Sequence, residues 1–141
     1  MDAYELIVKV GNWSQRDDRV IAAGVCGSYA RGEARPDSDT DFCIVSVDPN
    51  CFLENRSWVT EFGSDARVAG AVEGYNLVQS IRVFYGALEV EFGVADRTWM
   101  ELPIDRETAS VMRNGLRILY DPEGRLEKAV AHAASLPLGR P

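Results

Sequence analysis

Histidine and lysine are almost absent from this chain of 141 residues, which contains one histidine and two lysines. The histidine, His132, lies in an alanine-rich stretch, so a Ser-His-Asp or Cys-His hydrolase would have a single, badly placed base. The lysines, Lys9 and Lys128, do not follow a glycine-rich loop, which excludes the G-x-x-x-x-G-K-[ST] phosphate loop. The sequence therefore argues against a histidine-dependent hydrolase and against a P-loop NTPase.

Cysteines and long apolar runs are also scarce. Cys26, Cys43 and Cys51 are odd in number and lack C-x-x-C spacing, and with no histidine nearby we expect small buried thiols rather than a zinc site. No apolar run approaches the ~20 residues of a membrane span. Residues 1–5 lack the basic-then-apolar layout of a signal peptide. We expect a cytoplasmic protein that does not bind membranes.

Positive charge is in deficit, with 15 basic residues against 22 acidic ones and a net charge of −7. Affinity for phosphate polymers comes from an excess of Lys and Arg, so non-specific binding of nucleic acid is not expected. Apolar residues make up 46% and charged residues 26% of the chain, as in ordinary globular proteins. At about 150 residues per domain, we predict a single domain over residues 1–141.

Hydrophobic periodicity and turn residues predict an α+β fold, a mixed sheet with helices packed on it. The predicted helical segments are 4–13, 28–32, 52–62 (ending at Gly63), a turn around Trp99, 106–113 and 123–134. The predicted strands are 20–26, 40–47, 77–85, 88–95 and 116–120, the third and fourth forming a hairpin around Gly86. The tryptophans Trp13, Trp58 and Trp99 are expected in the core.

Two aspartates, Asp39 and Asp41, stand at the start of the predicted strand 40–47. Residues two apart in a strand point to the same face, so these carboxylates lie side by side. Two such anions repel each other unless a cation lies between them or one is protonated. Mg²⁺ binds one or two carboxylates together with phosphate oxygens and water. We interpret the pair as a metal platform, the alternative being a solvated turn.

Gly27 and Ser28 precede this pair and suit an anion. Gly27 has no Cβ, so a bulky anion can approach its backbone, and Ser28 can cap the short helix that follows. Arg31 and Arg35 are placed to reach the same anion, or else act as counter-charges to their acidic neighbours. A nucleoside triphosphate adds negative charge to a site that already holds carboxylates. We therefore expect ATP, or another NTP, to bind together with Mg²⁺.

A third carboxylate is expected from a neighbouring strand, where it would share the second metal ion or accept the proton of the attacking hydroxyl. Glu89 and Glu91 alternate with the apolar residues of the strand 88–95, so both face away from them. Paired glutamates are also ordinary on a solvent-facing strand, and a bulge at Gly93 would change their parity. The sequence does not separate the two glutamates.

Gly27-Ser28, ten further residues and Asp39-x-Asp41 together read G-S-x10-D-x-D. In this motif the chain resembles the DNA polymerase beta-type nucleotidyltransferase superfamily, in its minimal and antibiotic-modifying branches. The motif matches without a gap, and the resemblance covers about one sixth of the chain. Residues 58–63 and 88–91 carry a weaker resemblance to the aminoglycoside and streptomycin adenylyltransferases.

The resemblance implies a nucleotidyltransferase fold with the carboxylates at one edge of a small mixed sheet, two Mg²⁺ ions and an NTP donor. Carried over by position, the glycine–serine pair would hold the donor triphosphate, the two aspartates would bind metal, and one of the two glutamates would be the third acid. The implied mechanism is in-line attack of a hydroxyl on the α-phosphorus, with pyrophosphate leaving.

The acceptor stays open, because the antibiotic-modifying relatives usually carry a further helical domain that these 141 residues do not include. We expect a second copy of the chain or a helical partner protein to complete the acceptor pocket, or the acceptor to be a protein. Our first hypothesis is transfer of AMP from ATP to a hydroxyl of an aminoglycoside-like small molecule. The alternatives are an antitoxin-like nucleotidyltransferase that binds or adenylylates a helical toxin, and a nucleotide-binding module without turnover.

Overall fold

The computed structural model describes residues 1–137, which form one six-stranded sheet with helices on both faces. The strands are β1 (Val20–Cys26), β2 (Thr40–Ser46), β3 (Ala66–Tyr75), β4 (Val78–Tyr85), β5 (Leu88–Ala95) and β6 (Leu116–Tyr120). The α-helices are α1 (Ala3–Arg16), α2 (Ser28–Arg31), α3 (Pro49–Glu54), α4 (Arg106–Arg113) and α5 (Arg125–Ser135). Two 3₁₀ helices span Ser57–Glu61 and Arg97–Met100.

The strand order across the sheet is β3-β4-β5-β2-β1-β6. Neighbouring strands are antiparallel except for β2 and β5, which run parallel. The predicted α+β class and mixed sheet are confirmed. No helix among residues 1–137 is long and apolar enough to cross a membrane.

Helix α1 begins and ends where its side chains satisfy the backbone. The carboxylate of Asp2 accepts a hydrogen bond of 2.8 Å from the backbone N–H of Glu5 and so caps the helix. Leu6 and Val10, on the face turned to the sheet, are fully buried. The helix runs past the predicted end because the hydroxyl of Ser14 donates to the carbonyl of Val10, which keeps this polar residue inside the last turns.

One face of the sheet is covered by α1, α3 and the 3₁₀ helix 57–61. Its centre is a group of packed rings whose centroids lie 5.0–6.2 Å apart. The rings belong to Trp13, Phe52, Trp58, Phe62 and Phe92. Such edge-to-face and offset aromatic pairs contribute about 0.5–1.5 kcal/mol each beyond their burial. The expected core positions of the tryptophans are confirmed here, as is that of Trp99 on the other face.

The opposite face is only partly covered, and this exposes one end of two strands. Helices α4 and α5 pack over Cys43 and Val45 of β2 and over Ala95 of β5. Asp41 lies on the same face of β2, nearer the start of the strand, and is not part of that cluster. The starts of β2 and β5 therefore remain open on this face.

The predicted helix 52–62 is wrong, since this stretch forms two short helices. Helix α3 starts earlier than predicted because Pro49 occupies its first turn. It stops at Asn55, whose backbone is extended and whose side chain accepts a hydrogen bond of 3.1 Å from the N–H of Ser57. This local side-chain bond competes with helix continuation. The indole of Trp58 then donates to the carbonyl of Phe52 and joins the two helices at 2.9 Å.

Strand β3 has no counterpart in the sequence-based prediction. It contains two glycines, Gly70 and Gly74, and most of its residues are half-buried or exposed, so it lacks a clear hydrophobic alternation. Its pairing with β4 shifts between Ala69 and Glu73, where Gly70 has a φ of +74°. The strand lies at the edge of the sheet, where β4 is its one neighbouring strand.

The cysteines and the histidine were not expected to take part in chemistry, and of these Cys26 lies beside the open strand ends, as the Cα partner of Asp41. Cys43 is buried, whereas Cys26 and Cys51 are half-buried, so the expectation of small buried thiols holds fully for one of the three. His132, half-buried on α5, accepts a hydrogen bond of 3.4 Å at Nδ1 from the N–H of Ile104. Its imidazole thus connects α5 to the segment before α4.

Candidate active site

The parallel pairing of β2 with β5 aligns the acidic residues of the two strands. Asp41 is the Cα partner of Glu91, with the buried residues on either side of both turned to the aromatic core. Asp39 and Glu89 each precede this pair by two residues and lie on the same side. The pairing continues through Gly93 without a register shift, so no bulge alters the parity. Four carboxylates therefore share one open face of the sheet.

The close approach of these carboxylates affects the pKa of Asp41. Burial, followed by repulsion from Glu91, Asp39 and Glu89 in that order, raises the pKa of Asp41 to about 6. The ion pairs found within residues 1–137 leave Asp39, Asp41 and Glu91 without a basic partner. The charge of these three carboxylates is thus not compensated by an ion pair within the described residues.

The group fits a hard divalent cation by its donor chemistry. All of its ligands would be carboxylate oxygens, the donors that Mg²⁺ prefers, and a cation would relieve the repulsion that adds to burial in raising the pKa of Asp41. Within the described range, however, no three His, Cys, Asp or Glu side chains already stand as a group able to hold a metal ion. The aligned carboxylates would have to draw together around the ion.

Arg82 is a charged neighbour of this group that the sequence analysis did not identify. It is the Cα partner of Glu91 across the β4–β5 hairpin, and its Nε lies 3.2 Å from Oε2 of Glu89. A signal was present in the sequence, because a two-residue turn at Gly86-Ala87 pairs Tyr85 with Leu88 and so fixes the partner of every later residue. Counting back from that turn places Arg82 beside the glutamates.

Gly27 and Ser28 form the turn between β1 and α2, with roles that differ from those predicted. The residue that caps α2 is Gly27, at a φ of +78°, and Ser28 is the first helical residue without a capping bond from its side chain. A Cβ on Gly27 would meet nothing within 4 Å, so the backbone conformation, and not a need for space, requires glycine here. The N–H of Gly27 donates to the carbonyl of Gly115 at 3.0 Å.

Arg31 and Arg35 separate into two environments. The Nε of Arg31 donates to Oε1 of Glu33 at 2.7 Å, and another of its guanidinium nitrogens donates to the carbonyl of Asn114 at 2.6 Å. These bonds correspond to the counter-charge interpretation, so the structure does not turn Arg31 toward a bound anion. Arg35 is exposed in the loop that leads to Asp39.

Two cavities flank the carboxylates. A small one of about 110 Å³ lies beside Glu91, over β3 and β4. A larger one of about 730 Å³ reaches from the start of α1 to Asp39 and Glu89. The four aligned carboxylates therefore stand between two spaces that are open to small molecules.

The fold and the acidic face together correspond to the arrangement that the G-S-x10-D-x-D resemblance implies for a nucleotidyltransferase. A family model described as Nucleotidyltransferase domain matches residues 10–84, just over half of the chain. The chain therefore belongs to the nucleotidyltransferase domain family, whose general activity is the transfer of a nucleoside monophosphate. No curated protein matches the chain. The matched range includes the glycine–serine turn and both aspartates and ends before β5.

Proposed function

We propose that the chain is a Mg²⁺-dependent adenylyltransferase that transfers AMP from ATP to a hydroxyl group of an aminoglycoside-like small molecule. The observation that carries the proposal is the parallel register of β2 and β5, which sets Asp41 opposite Glu91 beside the glycine–serine turn. A cytoplasmic location, where ATP and Mg²⁺ are abundant, is part of the proposal.

The donor would be held at the start of α2. The N–H of Gly27 is occupied by the carbonyl of Gly115, and the carbonyl of Gly27 accepts from the N–H groups of Ala30 and Arg31. The N–H groups of Ser28 and Tyr29 stand in the first turn, where a helix supplies no carbonyl partner. We assign the triphosphate to these two N–H groups and to the hydroxyl of Ser28. Arg35, exposed in the following loop, remains available to cover the phosphates.

The acidic face supplies the groups that the transfer requires. The acceptor oxygen forms a bond to the α-phosphorus while the bond from that phosphorus to the bridging oxygen breaks, and pyrophosphate leaves in line. Asp39, Asp41 and Glu91 would hold two Mg²⁺ ions, which stabilise charge on the attacking and leaving oxygens. A carboxylate of this face accepts the hydroxyl proton, and the products are the AMP ester of the acceptor, an anionic phosphodiester, and pyrophosphate.

We assign the third acid to Glu91 and not to Glu89. Glu91 is the direct Cα partner of Asp41 and the strongest of the like charges that raise the pKa of Asp41. Glu89 is engaged by the guanidinium of Arg82 at 3.2 Å. A carboxylate already paired with a cation is a weaker ligand for a metal ion, because its charge is partly compensated. Arg82 therefore separates two glutamates that the sequence pattern leaves equivalent.

The test is release of pyrophosphate from MgATP in the presence of a panel of amino- and hydroxyl-bearing small molecules. We expect turnover with at least one acceptor, and we expect Asp41→Asn to reduce the rate by at least about 100-fold, since it removes a charge that the transition state depends on. Asp18→Asn, which changes an exposed aspartate outside the site, is the matched control.

Two outcomes would overturn the proposal. Turnover that occurs only with a helical protein as acceptor would favour an antitoxin-like nucleotidyltransferase. A rise in melting temperature with MgATP, combined with no pyrophosphate release under any condition, would leave a nucleotide-binding module.

A further inference from the structure

The cavity of about 730 Å³ has the size of a site for a drug-sized molecule and shares a wall with the candidate active site. Four segments surround it, namely the start of α1, the tyrosine after Ser28, the loop 34–39 and the turn into β5. Asp39 and Glu89 form the wall nearest to the metal platform. A molecule in this cavity would therefore present its groups to Asp39, one of the three carboxylates proposed to bind metal.

The cavity contains an aromatic pair, formed by the exposed Tyr4 and by Tyr29, which is half-buried and also packs against the core. The rings of Tyr4 and Tyr29 meet edge to face, with centroids 5.3 Å apart and an angle of 74° between their planes. Tyr4 is 61% exposed although it belongs to a helix whose other large apolar residues facing the sheet are buried. An exposed ring beside a cleft is suited to stack on a sugar ring or to face a cation. The neighbouring fold gives Tyr4 no other partner ring among the described residues.

The charge of the lining indicates which class of molecule fits. Carboxylates line the cavity from Asp2, Asp37, Asp39 and Glu89, and Arg35 is the basic side chain among the lining residues. The carboxylates outnumber the arginine, so the lining as a whole disfavours a triphosphate, whose proposed position is at the start of α2. A ligand that carries ammonium groups gains both from the carboxylates and from the electron-rich tyrosine faces.

We propose that this cavity is the acceptor subsite and that it takes an amine-bearing, hydroxyl-bearing ring compound, with Tyr4 and Tyr29 as the stacking platform and Asp37 as a charge contact. The inference rests on the proposed function and deepens it. It differs from the expectation that a second copy or a partner protein must complete the acceptor pocket, because α1 and the loop 34–39 of the same chain supply the walls.

The test measures binding by calorimetry with two ligands in separate titrations, the Mg²⁺ complex of a non-hydrolysable ATP analogue and kanamycin as an amine-bearing probe. Maltose, a neutral disaccharide, is the control ligand. For the wild-type chain we expect kanamycin to bind at least tenfold more tightly than maltose. Tyr4→Ala should weaken kanamycin at least tenfold, Tyr4→Phe should bind it within about twofold of wild type, and Asp37→Asn should weaken it and reduce its salt dependence.

The matched control variant is Tyr75→Ala, because Tyr75 is also an exposed tyrosine, at 67%, and lies on β3 away from this cavity. We expect it to bind kanamycin as the wild type does. The affinity for the nucleotide analogue should stay within about twofold in all of these variants. Since Tyr4 and Asp37 are both exposed, neither substitution removes core packing, and unchanged melting temperatures would verify this.

Three results would overturn the inference. Wild-type kanamycin binding no tighter than that of maltose would refute the cationic class. Wild-type affinity for kanamycin in Tyr4→Ala and Asp37→Asn would refute the location. Loss of nucleotide affinity in Tyr4→Ala, with kanamycin binding retained, would assign the cavity to the nucleobase. A failure of the proposed function would give a different result, because the wild-type chain would then not bind the nucleotide analogue.

Discussion

At the scale of single residues, Glu89 and Glu91 differ in their partners although they share one face of β5. Arg82 lies opposite Glu91 in the register but forms its ion pair with Glu89. Exposed ion pairs contribute little to stability, typically below about 1 kcal/mol. The pair therefore matters less for folding than for which carboxylate remains free to bind a cation.

Because of this difference, we expect Glu91→Gln and Glu89→Gln to have different kcat values in the pyrophosphate assay. Glu91→Gln should lower kcat by at least about 100-fold, because it removes the proposed third acid, whereas Glu89→Gln should change kcat by less than about threefold. Both variants keep the side-chain volume, and their melting temperatures control for folding. Equal losses in the two variants would show that Arg82 does not separate the glutamates.

The sequence motif identifies the glycine–serine turn and both aspartates as candidates, because their chemistry depends on local spacing. It does not identify Arg82, Tyr4 or Tyr29, since these residues reach the site through strand register and helix packing. The choice between Glu89 and Glu91 also depends on Arg82 of β4, because strand alternation places both glutamates on the same face of β5. Residues that act through long-range partners therefore escape a motif-based prediction.

At the scale of elements, the turn between β1 and α2 depends on the junction between α4 and β6. The carbonyl of Gly115 accepts from Gly27, and a Cβ on Gly115 would meet Arg31 Cγ at 2.9 Å and the Gly27 carbonyl oxygen at 3.2 Å. Gly115 also has a φ of +127°, which side chains rarely adopt. The glycine–serine turn is thus held in place by a distant part of the sequence.

Gly115→Ala should therefore lower the free energy of unfolding by about 2–4 kcal/mol, since it combines backbone strain with a clash. Gly124→Ala is the matched control, because Gly124 also has a positive φ, of +70°, but its Cβ would meet nothing within 4 Å. We expect the control to cost only about 1 kcal/mol. Urea unfolding measures both values, and an equal cost for the two variants would argue against the tether between Gly115 and Gly27.

Helices and strands could be predicted from the sequence where one pattern, such as a run of apolar residues, is clear. Strands β1 and β5 have the predicted bounds because continuous or alternating apolar residues end at turn signals. The helix 52–62 was mispredicted because the side-chain bond of Asn55 outweighs helical periodicity, and β3 was missed because its edge position does not require buried side chains. Both errors arise where tertiary contacts or local polar bonds override the hydrophobic pattern.

At the scale of the whole molecule, the acidic face adds to a net charge of −7. Repulsion among like charges destabilises a compact state, and the penalty is largest where burial weakens screening. Burial and the neighbouring carboxylates raise the pKa of Asp41 to about 6. Metal-free protein therefore bears a cost at neutral pH that a bound cation would remove.

The sign of the resulting pH dependence follows from the two pKa values of Asp41. The pKa of Asp41 rises from 3.8 in the unfolded chain to about 6 in the folded one, so the folded state holds the proton more tightly. The contribution of Asp41 to folding stability is therefore fully present below pH 3.8 and is lost as the pH rises through 6. Discounted for partial exposure to solvent, the cost at neutral pH is about 1–2 kcal/mol. Asp41→Asn should therefore stabilise the metal-free protein by about this amount at pH 7.5, and by about half as much at pH 5.

Urea unfolding in EDTA at these two pH values measures the effect, with Asp18→Asn as a control that should show no gain. Adding 10 mM Mg²⁺ at pH 7.5 should remove the advantage of Asp41→Asn, because the ion stabilises the wild-type carboxylates and not the amide; the concentration is on the order of that needed to saturate a weak carboxylate site. Destabilisation by Asp41→Asn in EDTA would mean that the folded protein already satisfies this carboxylate. The acidic face would then be a structural feature, because a cation would have no repulsion to relieve.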